Sequence, residues 1–214
     1  MIRRLLLATR SAGKLRELEP MLVAAGFAPE TLDQAGLAAT GDEDSLEAFD
    51  TFEANALAKA RHFFARSGGV PAMADDSGLE VHALGGRPGV HSKRWSGRDG
   101  LSGPALDDAN NALLLASLAS LASLAGTNDR AARYVCAAAF VDDERAIVVR
   151  GETAGAIARV PSGSGGFGYD PYFTSDDLGV TFGAATREEK ARVSHRGRAV
   201  RALLAAIAHR VDSR

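Results

Sequence analysis

A chain of 214 residues that is 46% hydrophobic can bury a sizeable core, as a single domain or as one domain of two lobes. Its 25 lysines and arginines against 27 acids leave a formal charge of −2, which argues against duplex nucleic acid and anionic membranes as partners. Cys136 is the only cysteine, so an internal disulfide is excluded. At the start, MIRRLLLATR places arginines before an apolar run that Thr9 and Arg10 interrupt, well short of the core of a secretory signal. No segment reaches the length of a membrane span, and a cytoplasmic protein is expected.

In chain order, Arg3 to Ala8 reads as a short buried strand. SAGKLRELEPMLVAAG then carries Leu15, Leu18, Met21 and Leu22 at helical spacing, with Gly26 as the cap. An acidic stretch, GDEDSLEAFD, leads into a second helix over Thr51 to Arg66. VPAMADDSGLEV predicts a strand, an acidic turn and another strand, and the glycine-rich segment from Gly85 to Gly103 predicts an ordered loop. PALDDANNALLLASLASLASLAG predicts a long alanine-rich helix that ends near Gly126 and packs closely on a neighbour. ARYVCAAAFVD and AIVVRGETAGAIARV predict two strands joined by a turn at Asp142 to Arg145, the first of them burying Cys136. Tyr172 and Phe173 open a further strand, and a terminal helix runs from about Gly197 to Val211. Strands and helices mix without strict alternation, so the expected class is α/β with a partly antiparallel sheet.

Four stretches carry residues suited to chemistry. In LLLATRSAGK a strand passes through a short turn into a helix, which aims backbone N–H groups and the positive helix end at one spot, and Lys14 adds a charge for a phosphate. It is not a P-loop, because Ala8 and Leu15 stand where that motif needs its first glycine and its hydroxyl. In ADDSG, Asp75 and Asp76 offer hard oxygens for Mg²⁺ or a base for a water nucleophile, with an Asx-turn to Ser77 as the structural alternative. If the segment is extended, the two carboxylates point to opposite faces. Glu43 and Glu47 could each complete the metal shell.

The third stretch, GGFGYDPYF, gathers Phe167, Tyr169, Tyr172 and Phe173 in a chain that is only 6% aromatic. Glycines let a ligand approach the backbone, and Phe167 or Tyr169 would offer a flat face to a nucleobase; rings buried as core are the alternative. The fourth, TREEKARVSHRGRAV, places Lys190, His195 and Arg196 near the start of a helix, with Ser194 as a candidate cap.

Taken together, ATRSAGKLREL, TFEANALAKAR, ADDSGLEVHALGGRPGVHSKRWSG, GSGGFGYDPYF and EEKARVSHRGRA resemble the inosine triphosphate pyrophosphatase family, the Ham1-type pyrophosphatases of non-standard purine nucleoside triphosphates. The matching stretches reach from Ala8 to Ala199. In two places the chain departs from the family pattern. Arg10 and Ser11 replace a usual glycine and asparagine, and the acidic stretch before Thr51 lacks the usual Glu-Glu-Thr-Gly.

The resemblance implies one domain over residues 1–214, an elongated, two-lobed fold around a long mixed β-sheet with flanking helices, and a nucleotide cleft between the lobes. It implies a homodimer that hydrolyses ITP, dITP or XTP to the monophosphate and pyrophosphate with Mg²⁺. Carried onto this chain, Asp76 is the catalytic residue and binds the metal with Glu47, a choice that rests on spacing to Thr51 and Phe52 and leaves Glu43 and Asp75 open. Thr9, Ser11, Lys14 and Lys59 would hold the phosphates, with Arg10 within reach of one, and Ser77 would contact the nucleotide. Phe167, Gly168, Tyr169 and Asp170 would form the base platform, and Lys190, His195 and Arg196 would close on the base edge. Two rival readings are a Maf-type pyrophosphatase of other base preference, against which the SHRG block argues, and a nucleotide-binding module without turnover.

Overall fold

The computed structural model describes residues 3–41 and 43–209. Six strands, β1 (Arg3–Leu7), β2 (Phe27–Thr31), β3 (Ala72–Val81), β4 (Ala131–Val141), β5 (Ala146–Ile157) and β6 (Phe173–Ser175), form one sheet in the order β2-β1-β3-β4-β5-β6. β1 runs parallel to β2 and β3, whereas β5 and β6 are antiparallel, so the sheet is mixed. Helices α1 (Ala12–Ala24), α2 (Phe52–Arg66), α3 (Gly103–Ala125), α4 (Arg187–Val193) and α5 (His195–His209) complete the α/β class expected. Short 3-10 segments at Glu43–Glu47 and Gly89–Arg94 interrupt the loops.

The chain divides into two compact units. The first holds the described residues up to Asp76, Cys136–Gly151 and those from Arg196 onward; the second holds Ser77–Val135 and Glu152–His195. Alternation along the strands builds the core of the first: Leu5 and Leu7 on β1 and Cys136, Ala138 and Phe140 on β4 share a core with Met73. Leu18 and Leu22 of α1 and Val200, Leu203 and Ile207 of α5 close it at helical spacing. In the second unit, Leu79, Val81, Tyr134, Ile157 and Phe173 from the strands pack with Leu114 and Leu118 of α3. Only one face of α3 is buried there, and Leu124 near its end is exposed, so the close packing expected for the whole helix holds for that face.

Several expectations are corrected. The acidic turn at Asp75 and Asp76 does not exist: β3 runs unbroken through both residues. The basic stretch after Thr186 forms two helices, because Thr186 and Glu189 make a reciprocal capping box that starts α4 seven residues before Ser194 ends it. Ser194 is the C-terminal cap of α4, and α5 begins at His195, ahead of the expected Gly197. At the end of α1 the cap is Ala25, and Gly26 follows with φ of 81°. The expected end of the last helix at Val211 lies outside the described residues.

Candidate active site

The first unit concentrates its buried charge around Asp75 and Asp76, in the middle of β3. Because that strand is extended, Asp75 and Asp76 point to opposite faces and meet different surroundings. Asp75 shares the face of Met73 and lies against Cys136, whose Sγ is 3.8 Å from Oδ2. Its carboxylate is paired with Lys14 Nζ at 3.2 Å and with Arg196 Nε at 3.1 Å. Arg196, also buried, pairs through its other end with Glu17. Burial alone would push the Asp75 carboxyl up, but Lys14, Arg196 and Lys59 outweigh it and hold the group well below the carboxylate range.

Asp76 belongs to the opposite face. Asn55 Nδ2 donates to its Oδ2 at 3.0 Å and Lys59 Nζ to its Oδ1 at 3.2 Å. Asn55 and Lys59 are four residues apart on α2, hence on one face of the helix, and Thr51 caps that helix by accepting the Ala54 N–H. Lys59 Nζ also donates to Glu47 Oε1 at 3.0 Å and to the Asp75 carbonyl at 2.8 Å. Lys59 is therefore no exposed helix lysine. It is 8% exposed, and although burial works against its charge, Asp76, Glu47 and Asp75 keep its pKa above the ordinary value.

Three hard oxygens thus converge on one cationic nitrogen. An ammonium so held marks a position where the donors suit a divalent cation, since Mg²⁺ takes one or two carboxylates and keeps several waters. Among the described residues no group of three or more His, Cys, Asp or Glu side chains is arranged to hold a metal ion. Glu43 and Glu47 differ in their surroundings, and only Glu47 meets Lys59. Glu43 is engaged elsewhere, accepting from Arg10 Nε and Nη2 at 2.8 Å each and from Arg66 Nη1 at 3.1 Å.

Arg10, expected within reach of a phosphate, meets acidic partners in the structure. Its guanidinium is spent on Glu43, on Asp33 at 3.2 Å and on the Leu37 carbonyl at 2.9 Å. Next to it, Ser11 caps α1 by accepting the Lys14 N–H at 3.4 Å, and its own N–H donates to Thr9 Oγ1 at 3.2 Å. Thr9, Ser11 and Lys14 remain partly exposed around the start of α1, and Ser77 is half-buried after Asp76.

The second unit carries the aromatic stretch. Tyr169 is corrected as a stacking face: it is 4% exposed, sits in the apolar cluster with Phe173, and its hydroxyl donates to the Ser92 carbonyl at 2.8 Å. Phe167 is half-buried, with Lys190 Nζ 5.2 Å from its ring centroid. Asp170 is buried; it accepts from Lys190 Nζ at 2.6 Å and from the Phe167 N–H at 2.8 Å. The glycines serve the chain's own close approaches, since a β-carbon at Gly166 would fall inside the Asp170 carboxylate, and Gly168 needs its φ of 65°. His195 is buried and stacks on Tyr134 at 4.4 Å with the rings 9° apart. Arg196, expected at a base edge, is instead committed to Asp75 and Glu17 in the first unit.

Asn55, Asp107, Asn111 and Glu17 were not among the residues singled out from sequence. Only Asn55 left a readable signal there, through its i to i+4 relation to Lys59 in TFEANALAK.

The class is thus a mixed α/β sheet carrying a carboxylate and ammonium cluster midway along β3. The chain belongs to the Ham1 family, whose model matches residues 5–206. It is 50% identical over 204 residues to the dITP/XTP pyrophosphatase of Mycolicibacterium paratuberculosis, covering 95% of each chain. It is 44% identical over 206 residues to the protein of the same name from Ralstonia nicotianae, covering 95% of this chain and 96% of that one. A solved Ham1 protein from Coxiella burnetii superposes with a TM-score of 0.80 at 31% identity, covering 97% of this chain and all of its own.

Proposed function

We propose that this chain is a nucleoside triphosphate pyrophosphatase acting on dITP, XTP and ITP. The observation that carries the reading is the convergence of Glu47 and Asp76 on the Lys59 ammonium, with Asp75 pinned behind them. Family membership supports it, as do the names of relatives that are close to half identical along nearly their whole length.

In this reading the charged cluster around Asp75 and Asp76 does the phosphate chemistry. Lys14 and Lys59, with Thr9, Ser11 and the start of α1, hold the phosphate tail, and Ser77 contacts the nucleotide. Asp76, its Oδ2 fixed by Asn55, takes the proton of a water whose oxygen bonds to the α-phosphorus while the bond to the bridging oxygen breaks and pyrophosphate leaves. Mg²⁺ held by Glu47 and Asp76 would offset the charge on the phosphate oxygens. Asp75 keeps Lys14 and Arg196 in place and has no direct part in the reaction.

The aromatic stretch discriminates the base. Phe167 stacks on it, Asp170 and Gly168 hold that ring's backbone, and Lys190, oriented by Asp170, donates to the 6-oxo group of hypoxanthine or xanthine. Adenine presents an amino group there and would set donor against donor, the kind of mismatch that polar sites reject strongly. His195 acts through Tyr134, which it stacks on. We further propose that the enzyme works as a homodimer on the cytoplasmic nucleotide pool, a state that sedimentation would read directly; among the described residues no helix is long and apolar enough to cross a membrane.

The test is a panel of dITP, XTP, ITP, ATP and GTP, with Mg²⁺ and after chelation, with monophosphate and pyrophosphate measured together. Equal amounts of the two products are expected, with ATP turned over at least about 100-fold more slowly. Asp76→Asn should fold normally and lose about 10²–10⁴-fold in kcat. Release of orthophosphate, equal rates on ATP, or near-normal turnover by that variant would overturn the assignment.

A further inference from the structure

We infer that Asp107 and Asn111 of α3 are positioning residues for base recognition, because they hold both polar groups of Gly168 and thereby set where the neighbouring Phe167 ring stands. The Gly168 N–H donates to Asp107 Oδ2 at 2.8 Å, and Asn111 Nδ2 donates to the Gly168 carbonyl at 3.0 Å. The two side chains lie four residues apart, so they project from one face of a helix whose register is set by Leu114 and Leu118 in the core.

The geometry is selective. The N–H belongs to the peptide joining Phe167 to Gly168, and the carbonyl belongs to the peptide joining Gly168 to Tyr169. Fixing both removes the two peptide rotations that a glycine at φ of 65° would otherwise leave loose. Outside this pair the segment is tied on either side: Asp170 accepts the Phe167 N–H, and the Tyr169 hydroxyl reaches the Ser92 carbonyl. The Phe167 ring is thus held in its half-buried place beneath Lys190 by its own backbone, whereas Tyr169 and Phe173 are held by burial in the core.

This inference rests on the reading of Phe167 as the stacking ring, and the experiment separates the two. KM and kcat for ITP are measured by inosine monophosphate formation in Phe167→Ala, Asp107→Ala, Asp107→Asn, Asn111→Ala and Asn111→Asp. Inhibition by inorganic tripolyphosphate, which has phosphates and no base, is measured alongside. Loss of one clamp bond should raise KM about tenfold with kcat within about twofold, and should leave tripolyphosphate inhibition unchanged. Asp107→Asn keeps an acceptor at the same reach and should restore most of the wild-type KM. Asn111→Asp keeps the volume but replaces the donor with a buried carboxylate facing the Gly168 carbonyl, so it should raise KM at least as much as Asn111→Ala, with its fold checked by circular dichroism.

Because both side chains act on one residue, the double alanine variant should cost less than the two singles combined. An unchanged KM in the clamp variants beside a raised KM in Phe167→Ala overturns the inference and leaves the stacking reading standing. Weakened tripolyphosphate inhibition in the clamp variants also overturns it, because the role would then be general stability. If Phe167→Ala itself leaves KM unchanged, the stacking reading fails and the clamp's role in recognition fails with it.

Discussion

Asp75 and Asp76 are neighbours with the same side chain, yet the strand turns one toward a sealed network and the other toward Asn55 and Lys59. The division matters because a carboxylate buried between two cations holds them still, as Asp75 Oδ2 does with Lys14 and Arg196. Arg196 carries much of that pairing. Removing it would leave Asp75, which has no exposed surface, with Lys14 as its nearest cation. Arg196→Leu is therefore expected to lower unfolding stability by about 3–5 kcal/mol in urea titrations, since breaking a buried pair strands a charge. A cost below about 1 kcal/mol would show that water or Lys14 replaces the guanidinium without loss.

The roles at this scale were legible in sequence only where chemistry and spacing coincide. Asp75 and Asp76 stood out because adjacent acids beside an apolar strand offer hard oxygens, whereas Lys59 entered only through the family resemblance. Arg196 pointed the other way because a long side chain's direction is set by what packs around it, and Glu17, its partner, lies 179 residues away. Asp107 and Asn111 were invisible for a related reason: they bind backbone groups, which leave no residue type to read at the far end.

Among the elements, the short 3-10 segment Glu43–Glu47 connects two charge systems. Glu43 at its start is gripped by Arg10 from the loop after β1 and by Arg66 from the end of α2, and Glu47 at its other end meets Lys59. Its orientation is therefore pinned at both ends, and Arg10 supplies much of the first pin. Hydrogen bonds from Arg10, with lesser help from the Thr40 N–H and Arg66, bring the Glu43 pKa from 4.5 down to about 2. A depressed carboxylate contributes stability that is fully present above its unfolded value and is lost as pH falls through the folded one. For Glu43 that window runs from about pH 4.5 to about pH 2. In Arg10→Ala, melting temperature should fall at pH 7, and the drop separating it from the parent should shrink across that window as acid removes the same interaction from the parent. A constant difference down to pH 2 would show that Arg10 acts through Leu37 and Asp33 instead. Sequence reading placed Arg10 within reach of a phosphate because of the loop's position; of the acids that hold it, Glu43 drew notice only as a candidate for the metal shell and Asp33 not at all. By contrast, the capping box of TREEK was available in the letters, and it decides that the basic stretch forms two helices.

At the scale of the whole chain, two apolar cores are built by the same alternation along shared strands, and the boundary between the units falls inside β3, β4 and β5. The strand and helix sequence was legible because period-2 and period-3.6 patterns survive in the letters, as with Cys136, Ala138 and Phe140 against Leu18 and Leu22. The unbroken run of β3 was not, since two acids in succession resemble a turn until their partners are known. Cys136 sits in the first of these cores, and burial, with Asp75 beside it, pushes its thiol well above the ordinary range. A lone sulfhydryl that is both protonated and sealed makes a clock for opening of that unit: alkylation by iodoacetamide adds one mass increment per molecule and has only one place to go. Native protein should label far more slowly than a free thiol, and the rate should climb with urea in step with loss of structure. Rapid labelling without denaturant would mean that this core breathes on its own, well before the rest of the molecule lets go.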